Sequence, residues 1–539
     1  MVTAREDTLS YRLSRYLRRN GLGVAAVGGV VLALAGGIVA ARYEARQARQ
    51  RFDAVRGLAN EVLTLDGQLS QIPATAKTRQ MLLRTVLRHL EQLAKDAKGD
   101  IGLEMELSTA YRKAGGLQST LPNSGEPRES LRRAIDLGEQ VRASGKADGL
   151  FLASLARSYY LLGIRYFELG NPDDARRNFL TAIDRAKEPG VQGGAAIVAN
   201  SNRWLGRMEN ESGQVARAVQ WMEEAVRAAR QSVQELRNPT SVQDLVSAQL
   251  YLARSAKLAG NLVRTSEISR TGAREAAAIY KEYPRSSDAK LAMVVAYVSA
   301  GAEHAVPFDM LSYFVPPETV DAAVDFARRM TVEDPETNYW QTLLVHAYLQ
   351  QASVVSDVKL AELAARNALA VVAKQLQRAG DSKIYIRNQA LSRIQLANCL
   401  RAAGDRVGAV EQAALAMREL SEGFNDREAK AATLLATMVL ASVNLESGDK
   451  LRAAERFESA RKIAESLVAA DKTDMRMAAF LALTYEGLGA CARGPAAAGW
   501  YAKSVELWKS WPVFEKPSVY SQVHQKSAEK LLADARRGS

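Results

Sequence analysis

An all-α stack of right-handed helical hairpins behind one transmembrane helix is the architecture this sequence predicts. Three observations carry it. Most apolar content is Ala, Leu and Val, with 47% of the chain hydrophobic, only 6% aromatic and 14 prolines, which is the composition of close-packed helices rather than sheets. The 539 residues exceed what one globular core supports, so the chain is either several domains or an elongated array. Small residues recur at a near-constant period over most of its length, and one long uncharged run precedes them.

Residues 1–20 form a short basic tail. Gly21 to Ala41 is a 21-residue run without a charge. At ~1.5 Å per residue a helix of this length crosses a hydrocarbon core of ~30 Å. Arg15, Arg18 and Arg19 precede it, and Arg42 and Arg46 follow. Ala33-Leu34-Ala35 offers the cleavage site of a signal peptide, the rival reading. The apolar run is nevertheless longer than the ~7–15 residues of a signal core, which favours a retained anchor. Gly21, Ala25, Gly29, Ala33, Gly37 and Ala41 put a small residue at every fourth position. Such a stripe suits close approach of two transmembrane backbones, although Gly and Ala are also simply common here. Five Arg lie before the run and five within fifteen residues after it, so charge gives no orientation.

Residues 42–100 read as juxtamembrane helices. Val55, Leu58, Val62, Leu65 and Leu69 follow 3-4 spacing, a short heptad seam that suits either packing on its own chain or a homodimer. Gln71-Ile72-Pro73 breaks it. A second amphipathic helix runs from about Thr78 to Lys95, with Leu82, Val86, Leu90 and Leu93 on one side.

From residue 101 to 513 the pattern repeats. In 156–189, Tyr159, Leu162, Gly163, Tyr166, Gly170, Ala175, Phe179 and Ala182 fall where a tetratricopeptide unit wants Trp/Tyr, Leu, Gly, Tyr, Gly, Ala, Phe and Ala. Gly163 is expected to face Ala175 and Ala182 where the helices cross. Gly170 ends the first helix and Asn171-Pro172 opens the second. Leu205, Gly206, Gly213, Ala218, Met222 and Ala225 match again, as do Leu396, Ala397, Leu400, Gly404, Ala409 and Ala416. So do Leu440, Ala441, Gly448, Ala453, Phe457 and Ala460, and Tyr485, Leu488 and Gly489 open a last unit carrying Trp500, Tyr501 and Trp508. The equivalent small residues Gly163, Gly206 and Ala253, then Ala397, Ala441 and Gly489, are 43 to 48 residues apart. The 144 residues between Ala253 and Ala397 hold three such periods. The fold class is thus a tetratricopeptide-type solenoid of about nine helix pairs, closed by a capping helix in 514–539.

The chemistry of catalysis is missing. His occurs only at 89, 304, 346 and 524, with no metal-ligand spacing, and there is no phosphate-binding Gly-rich loop, kinase catalytic loop or nucleophile elbow. Asp173-Asp174 and Glu223-Glu224 read as solvated helix faces. We therefore expect no catalytic residue, no cofactor and no metal. Cys399 and Cys491 are two lone thiols on helices. Of the +12 formal charge, residues 1–56 carry +6 (ten Arg against Glu6, Asp7, Glu44 and Asp53), where it meets lipid headgroups; the rest is spread thinly, and nucleic acid is not an expected partner. A repeat solenoid acts by binding, so a protein or peptide in the groove is the expected partner, with the membrane engaged through 21–41. One apolar stretch, AVPFDMLSYFVPPE at 305–318, interrupts the array. It reads either as a ligand-contacting loop or as a connection tucked against the helices.

DTLSYRLSRYLRRNG, then the anchor, then RFDAVRGLANEVL and IPATAKTRQMLLRTVLRHLEQLAKDAKGD resemble bacterial receptor-type serine/threonine protein kinases, as do AYRKAGGLQ (110–118) and WYAKSVELW (500–508). The resemblance implies a kinase domain, one transmembrane helix and a tetratricopeptide sensor in order. It covers the non-catalytic part alone, so no ATP-binding or catalytic residue carries over. The chain is then a stand-alone sensor, a remnant, or the sensor half of an enzyme whose start lies upstream. The same arrangement implies a single-pass protein of the bacterial inner membrane, with residues 1–20 cytoplasmic and the repeats outside.

Overall fold

The structure, a computed structural model, describes residues 76–537 apart from 97–98, 120–125, 298–305, 316, 334, 336–337, 380–381 and 422–423. The tail, the expected anchor at 21–41 and the seam from Val55 to Leu69 lie outside the described residues. Among the described residues no helix is long and apolar enough to cross a membrane. Two compact units divide between Lys146 and Ala147.

The first unit contains α1 (Ala76–Asp96), α2 (Ile101–Gln118) and α3 (Pro127–Ala143). Helix α1 turns Leu83, Val86 and Leu90 inward, and Val86 and Leu90 join Leu103, Leu107 and Tyr111 of α2 in one core. The expected face used Leu82; the observed helix is rotated so that Leu83 is buried and Leu82 only half-buried. Asp100 caps α2 by accepting from the Leu103 amide. Gly115 lets α3 approach: a Cβ there would lie 2.8 Å from Leu131 Cγ.

In the second unit the helices alternate as first and second members of pairs. They are α4 (Gly149–Glu168) with α5 (Pro172–Ala186), α6 (Gly194–Glu211) with α7 (Val215–Glu235), and α8 (Pro239–Leu258) with α9 (Leu262–Glu282). Next come α10 (Ser287–Tyr297) with α11 (Pro317–Glu333), α12 (Asn338–Val354) with α13 (Val358–Ala379), and α14 (Lys383–Ala402) with α15 (Arg406–Ser421). Then follow α16 (Arg427–Glu446) with α17 (Lys450–Ala470), α18 (Met475–Cys491) with α19 (Gly494–Lys509), and finally α20 (Val519–Arg537).

A local rule makes these pairs. At five turns the first helix ends in a left-handed glycine: Gly170, Gly213, Gly260, Gly404 and Gly448, with φ between +73° and +87°. The next residue's amide reaches back to a carbonyl five positions earlier, as in Asn171 to Tyr166, Asn261 to Ala256 and Asp449 to Asn444, which satisfies a helix-end carbonyl. In four of the five that same residue, Asn171, Asn261, Asp405 or Asp449, turns its side chain to cap the second helix. One Gly-Asx dipeptide thus stops one helix and starts another.

Packing within a pair differs in one respect from expectation. Gly163 has neither Ala175 nor Ala182 as its nearest neighbour. It faces the Phe179 ring between them, and a Cβ on Gly163 would stand 2.8 Å from Phe179 Cδ1 and Cε1. Gly206 faces Met222 and Gly489 faces Tyr501 in the same manner. The small residue of the first helix makes room for a large one in the second, while Ala175 and Ala182 are completely buried beside it.

The array also returns on itself. The Val215 amide donates to Asp471 Oδ2 at 3.0 Å, and Trp511 Nε1 donates to the Gly260 carbonyl at 3.1 Å. Gly260 sits so close to Met475 and Trp511 that a Cβ would lie 2.9 Å from each. Ala253 and Leu262 share a core with Met475, Ala478, Trp508 and Trp511. Residues some 250 positions apart are therefore in van der Waals contact.

Candidate functional site

The first helices of successive pairs lie side by side, and polar residues join them one repeat apart. Trp204 Nε1 donates to Tyr160 Oη at 3.3 Å, Asn200 Nδ2 to Asp244 Oδ2 at 3.1 Å, and Asn210 Nδ2 to Ser255 Oγ at 2.9 Å. His346 Nε2 lies 3.4 Å from Asn388 Oδ1. These bonds build a polar face on helices whose other sides are apolar.

Between α6, α8 and α12 this face hollows into a cavity of about 220 Å³, lined by Arg203, Trp204, Arg207, Tyr251, Arg254 and His346 among others. An adjoining cavity of about 640 Å³ shares Arg207, Tyr251, Arg254 and His346 and extends to Arg387 and Asn388 of α14 and the start of α16. The arginines lie on aromatic rings. Arg207 sits 5.0 Å from the Trp204 ring centre and 5.2 Å from that of Phe167. Arg203 and Arg254 approach the Tyr251 ring at 5.8 and 5.0 Å. Such stacking fixes a guanidinium's plane, and Arg203 also donates to Asn200 Oδ1 at 2.6 Å.

The smaller cavity has no carboxylate among its described lining residues. Around the rim Arg207 pairs with Glu211 at 2.8 Å and Arg387 with Asp426 at 2.6 Å, both exposed to solvent. Asp244, reached through Asn200, has its pKa raised by burial against the lowering influence of Arg203. Asn388 is buried, and its Nδ2 has no hydrogen-bond partner among the described residues. The smaller cavity therefore presents donors, whereas the larger is also lined by Glu211, Asp426 and Glu428.

An ionic cluster built on the buried Arg476 and Asp474 holds the far wall. Arg476 makes two 2.8 Å bonds to Glu428 and one of 3.1 Å to Asp474, while Arg427 bonds Asp474 at 2.8 Å. Burial alone would lower the Arg476 pKa; the two carboxylates outweigh it and raise it above the ordinary value. This cluster ties the start of α16 to the start of α18.

The other residues weighed from sequence do not converge on a site. Asp174 donates its amide to the Asn171 cap and pairs locally with Arg177. His346 lies in the groove, whereas His524 is bonded to Asp309. Cys399 is buried, which pushes its thiol up to about 11 and away from reactivity. No group of three metal-ligating side chains occurs among the described residues. The stretch around 305–318 is tucked in: Met310, Leu311 and Phe314 are buried. Sequence reasoning missed the stacked arginines. Their only signal was Arg203, Arg207 and Arg254 beside Trp204 and Tyr251 on first helices.

No protein-family model matches this chain, and no curated protein matches it. Among solved structures, yeast Tom70 is similar over 89% of this chain and 99% of its own, at 11% identity and a TM-score of 0.32. A tetratricopeptide repeat protein from Parabacteroides merdae is similar over 59% of this chain and 98% of its own, at 13% and 0.32. A Rap protein complexed with competence and sporulation factor covers 90% and 100%, at 13% and 0.28. The chain is an all-α protein of tetratricopeptide-like helical repeats, a reading that rests on its own helix pairs.

Proposed function

We propose that this protein is a membrane-anchored, non-catalytic scaffold that binds an acidic segment of a protein partner in the groove between α6, α8 and α12. One observation carries the reading: Arg203, Arg207 and Arg254 are held on aromatic rings around a cavity without a lining carboxylate. Guanidinium groups fixed in this way suit carboxylates, which they bind in bidentate fashion. The test is an array of acidic and basic decapeptides probed with the 539-residue chain in detergent. Acidic peptides should bind, and the double variant Arg203→Glu/Arg207→Glu should lose them. Equal binding of basic peptides overturns the reading.

Anchoring is supported by the uncharged run 21–41 with arginines on both sides. The likeness of the N-terminal sequence to receptor-type kinases supports a second reading, in which the repeats are the extracytoplasmic sensor of a serine/threonine kinase at the bacterial inner membrane. Thiol labelling tests the topology. In a background with Cys399 and Cys491 changed to Ala, Ala4→Cys should stay shielded from an impermeant reagent in intact cells. Ser382→Cys should label where the reagent reaches the periplasm or exterior. Labelling of Ala4→Cys alone reverses the orientation.

A further inference from the structure

Nineteen residues separate the described ends of α10 and α11, whereas three separate α4 from α5, α6 from α7, α8 from α9, α14 from α15 and α16 from α17. The described part of this connection, residues 306–315, contains a short 3₁₀ turn at Met310–Tyr313. Phe308 packs on the cluster formed by Ala397 of α14, Ala413 of α15 and Val439 and Leu440 of α16. Met310, Leu311 and Phe314 are buried in one core with Ala478, Ala479 and Ala482 of α18. Phe308 thus lies on the cluster of α14, α15 and α16, and the 3₁₀ turn packs against α12 and α20.

The segment is held as a ligand is held, by side chains. Its backbone hydrogen bonds among the described residues close within the segment itself: Met310 to Pro307, Ser312 to Asp309, and Phe314 and Val315 to Leu311. One ion pair fastens it, His524 Nε2 to Asp309 Oδ2 at 2.8 Å, and Tyr313 meets the Tyr520 ring edge-on. The fit is incomplete, because the Tyr520 hydroxyl is buried and has no hydrogen-bond partner among the described residues. An occupant offering an acceptor there would satisfy it.

We infer that residues 306–315 are a ligand built into the chain. They occupy an apolar site beside α12, α14, α16 and α20 that takes a partner segment with large apolar side chains in the places of Met310, Leu311 and Phe314. Partner and segment exclude one another, so displacement is the step that opens the site. The inference rests on the reading of first-helix faces as binding surfaces but not on the arginine groove. Its probe is apolar, so failure of the acidic-peptide test leaves it standing, and the reverse holds too.

The probe is a fluorescent decapeptide of sequence VPFDMLSYFV added to the 539-residue chain in detergent. The native chain should bind it at least ten-fold more weakly than the triple variant Met310→Ser/Leu311→Ser/Phe314→Ser. A triple variant with native helical circular dichroism that binds no tighter than the native chain overturns the inference. If the triple variant loses its helical signal, thiol trapping decides. In the Cys399→Ala/Cys491→Ala background, Leu311→Cys should be modified at least ten-fold faster than Ala479→Cys on α18. Equal rates would mean that the segment opens only when α18 does, and the inference falls.

Discussion

Gly163 is the position at which pair packing can be tested most sharply. Changing glycine to alanine inside a helix gains about 0.5–1 kcal/mol from backbone entropy. At Gly163 the new methyl would sit 2.8 Å from two carbons of the Phe179 ring, against an ordinary carbon–carbon separation of about 3.5–4.0 Å. The ring cannot yield freely. Phe179 is completely buried, stacked on Trp204 with centroids 6.0 Å apart and tilted against Tyr160 at 6.2 Å. Overpacking of this kind costs about 1–3 kcal/mol, which leaves Gly163→Ala between neutral and about 2.5 kcal/mol destabilised. Gly499 is the control: it lies inside α19, is exposed, and would meet nothing within 4 Å. Gly499→Ala should gain the full helical increment of about 0.5–1 kcal/mol. Urea unfolding followed by far-ultraviolet circular dichroism separates the two. If Gly163→Ala stabilises as much as Gly499→Ala, the packing assigned to this pair is wrong. The strain also has a direction, since Trp204 lines the arginine cavity, so a displaced Phe179 should weaken acidic-peptide binding as well.

Arg476→Met leaves Glu428 without its counter-charge and Asp474 with Arg427 alone, and should cost about 3–5 kcal/mol in urea unfolding. Trp511→Phe removes the bond to the Gly260 carbonyl while keeping most of the ring contact, and should cost about 1–3 kcal/mol by the same measurement. Glu486 is pushed above the usual carboxylate pKa by burial, opposed by hydrogen bonds from Ser504 and Trp508. A raised folded pKa means that the native state binds the proton more tightly than the unfolded one, so its ionised form is a cost that fades as pH falls through that pKa. Glu486→Gln keeps an acceptor oxygen and should therefore gain stability over the native chain at pH 7, with the gap narrowing toward pH 5; a gap that widens on acidification refutes it.

What could be read from the sequence was whatever is local. Gly170-Asn171, Gly404-Asp405 and Gly448-Asp449 announce a helix end and a helix start within two residues, because only glycine takes the left-handed turn cheaply and Asx caps well. Pairs therefore emerged wherever this dipeptide or its small-residue partners survived. The fifth pair has neither, and its two helices were traced by period alone. Side-chain direction was less legible: a rotation of one position separates Leu82 from Leu83 on α1, and an apolar run admits both. The same holds for Gly163, where composition suggested Ala175 and Ala182 and geometry chose Phe179. The groove was the least legible, because Arg203 and Arg207, four apart on one helix, look like any solvated face until Tyr251 is seen beneath the first and Trp204 beneath the second. Contacts such as Val215 with Asp471 carry no sequence signal, for neither residue type is unusual where it stands.

Those distant contacts set this array apart from an open stack. When each repeat touches only its neighbours, units can be gained or lost by duplication and deletion with little consequence beyond length. Here Val215 and Gly260 must find Asp471 and Trp511 across the intervening pairs. Adding or removing one pair between them would carry Asp471 to a different angle and separate both contacts. The number of units is thereby counted by the structure itself, and descendants of this gene should vary in loops and surface residues while keeping the tally of helices between the two fastenings unchanged.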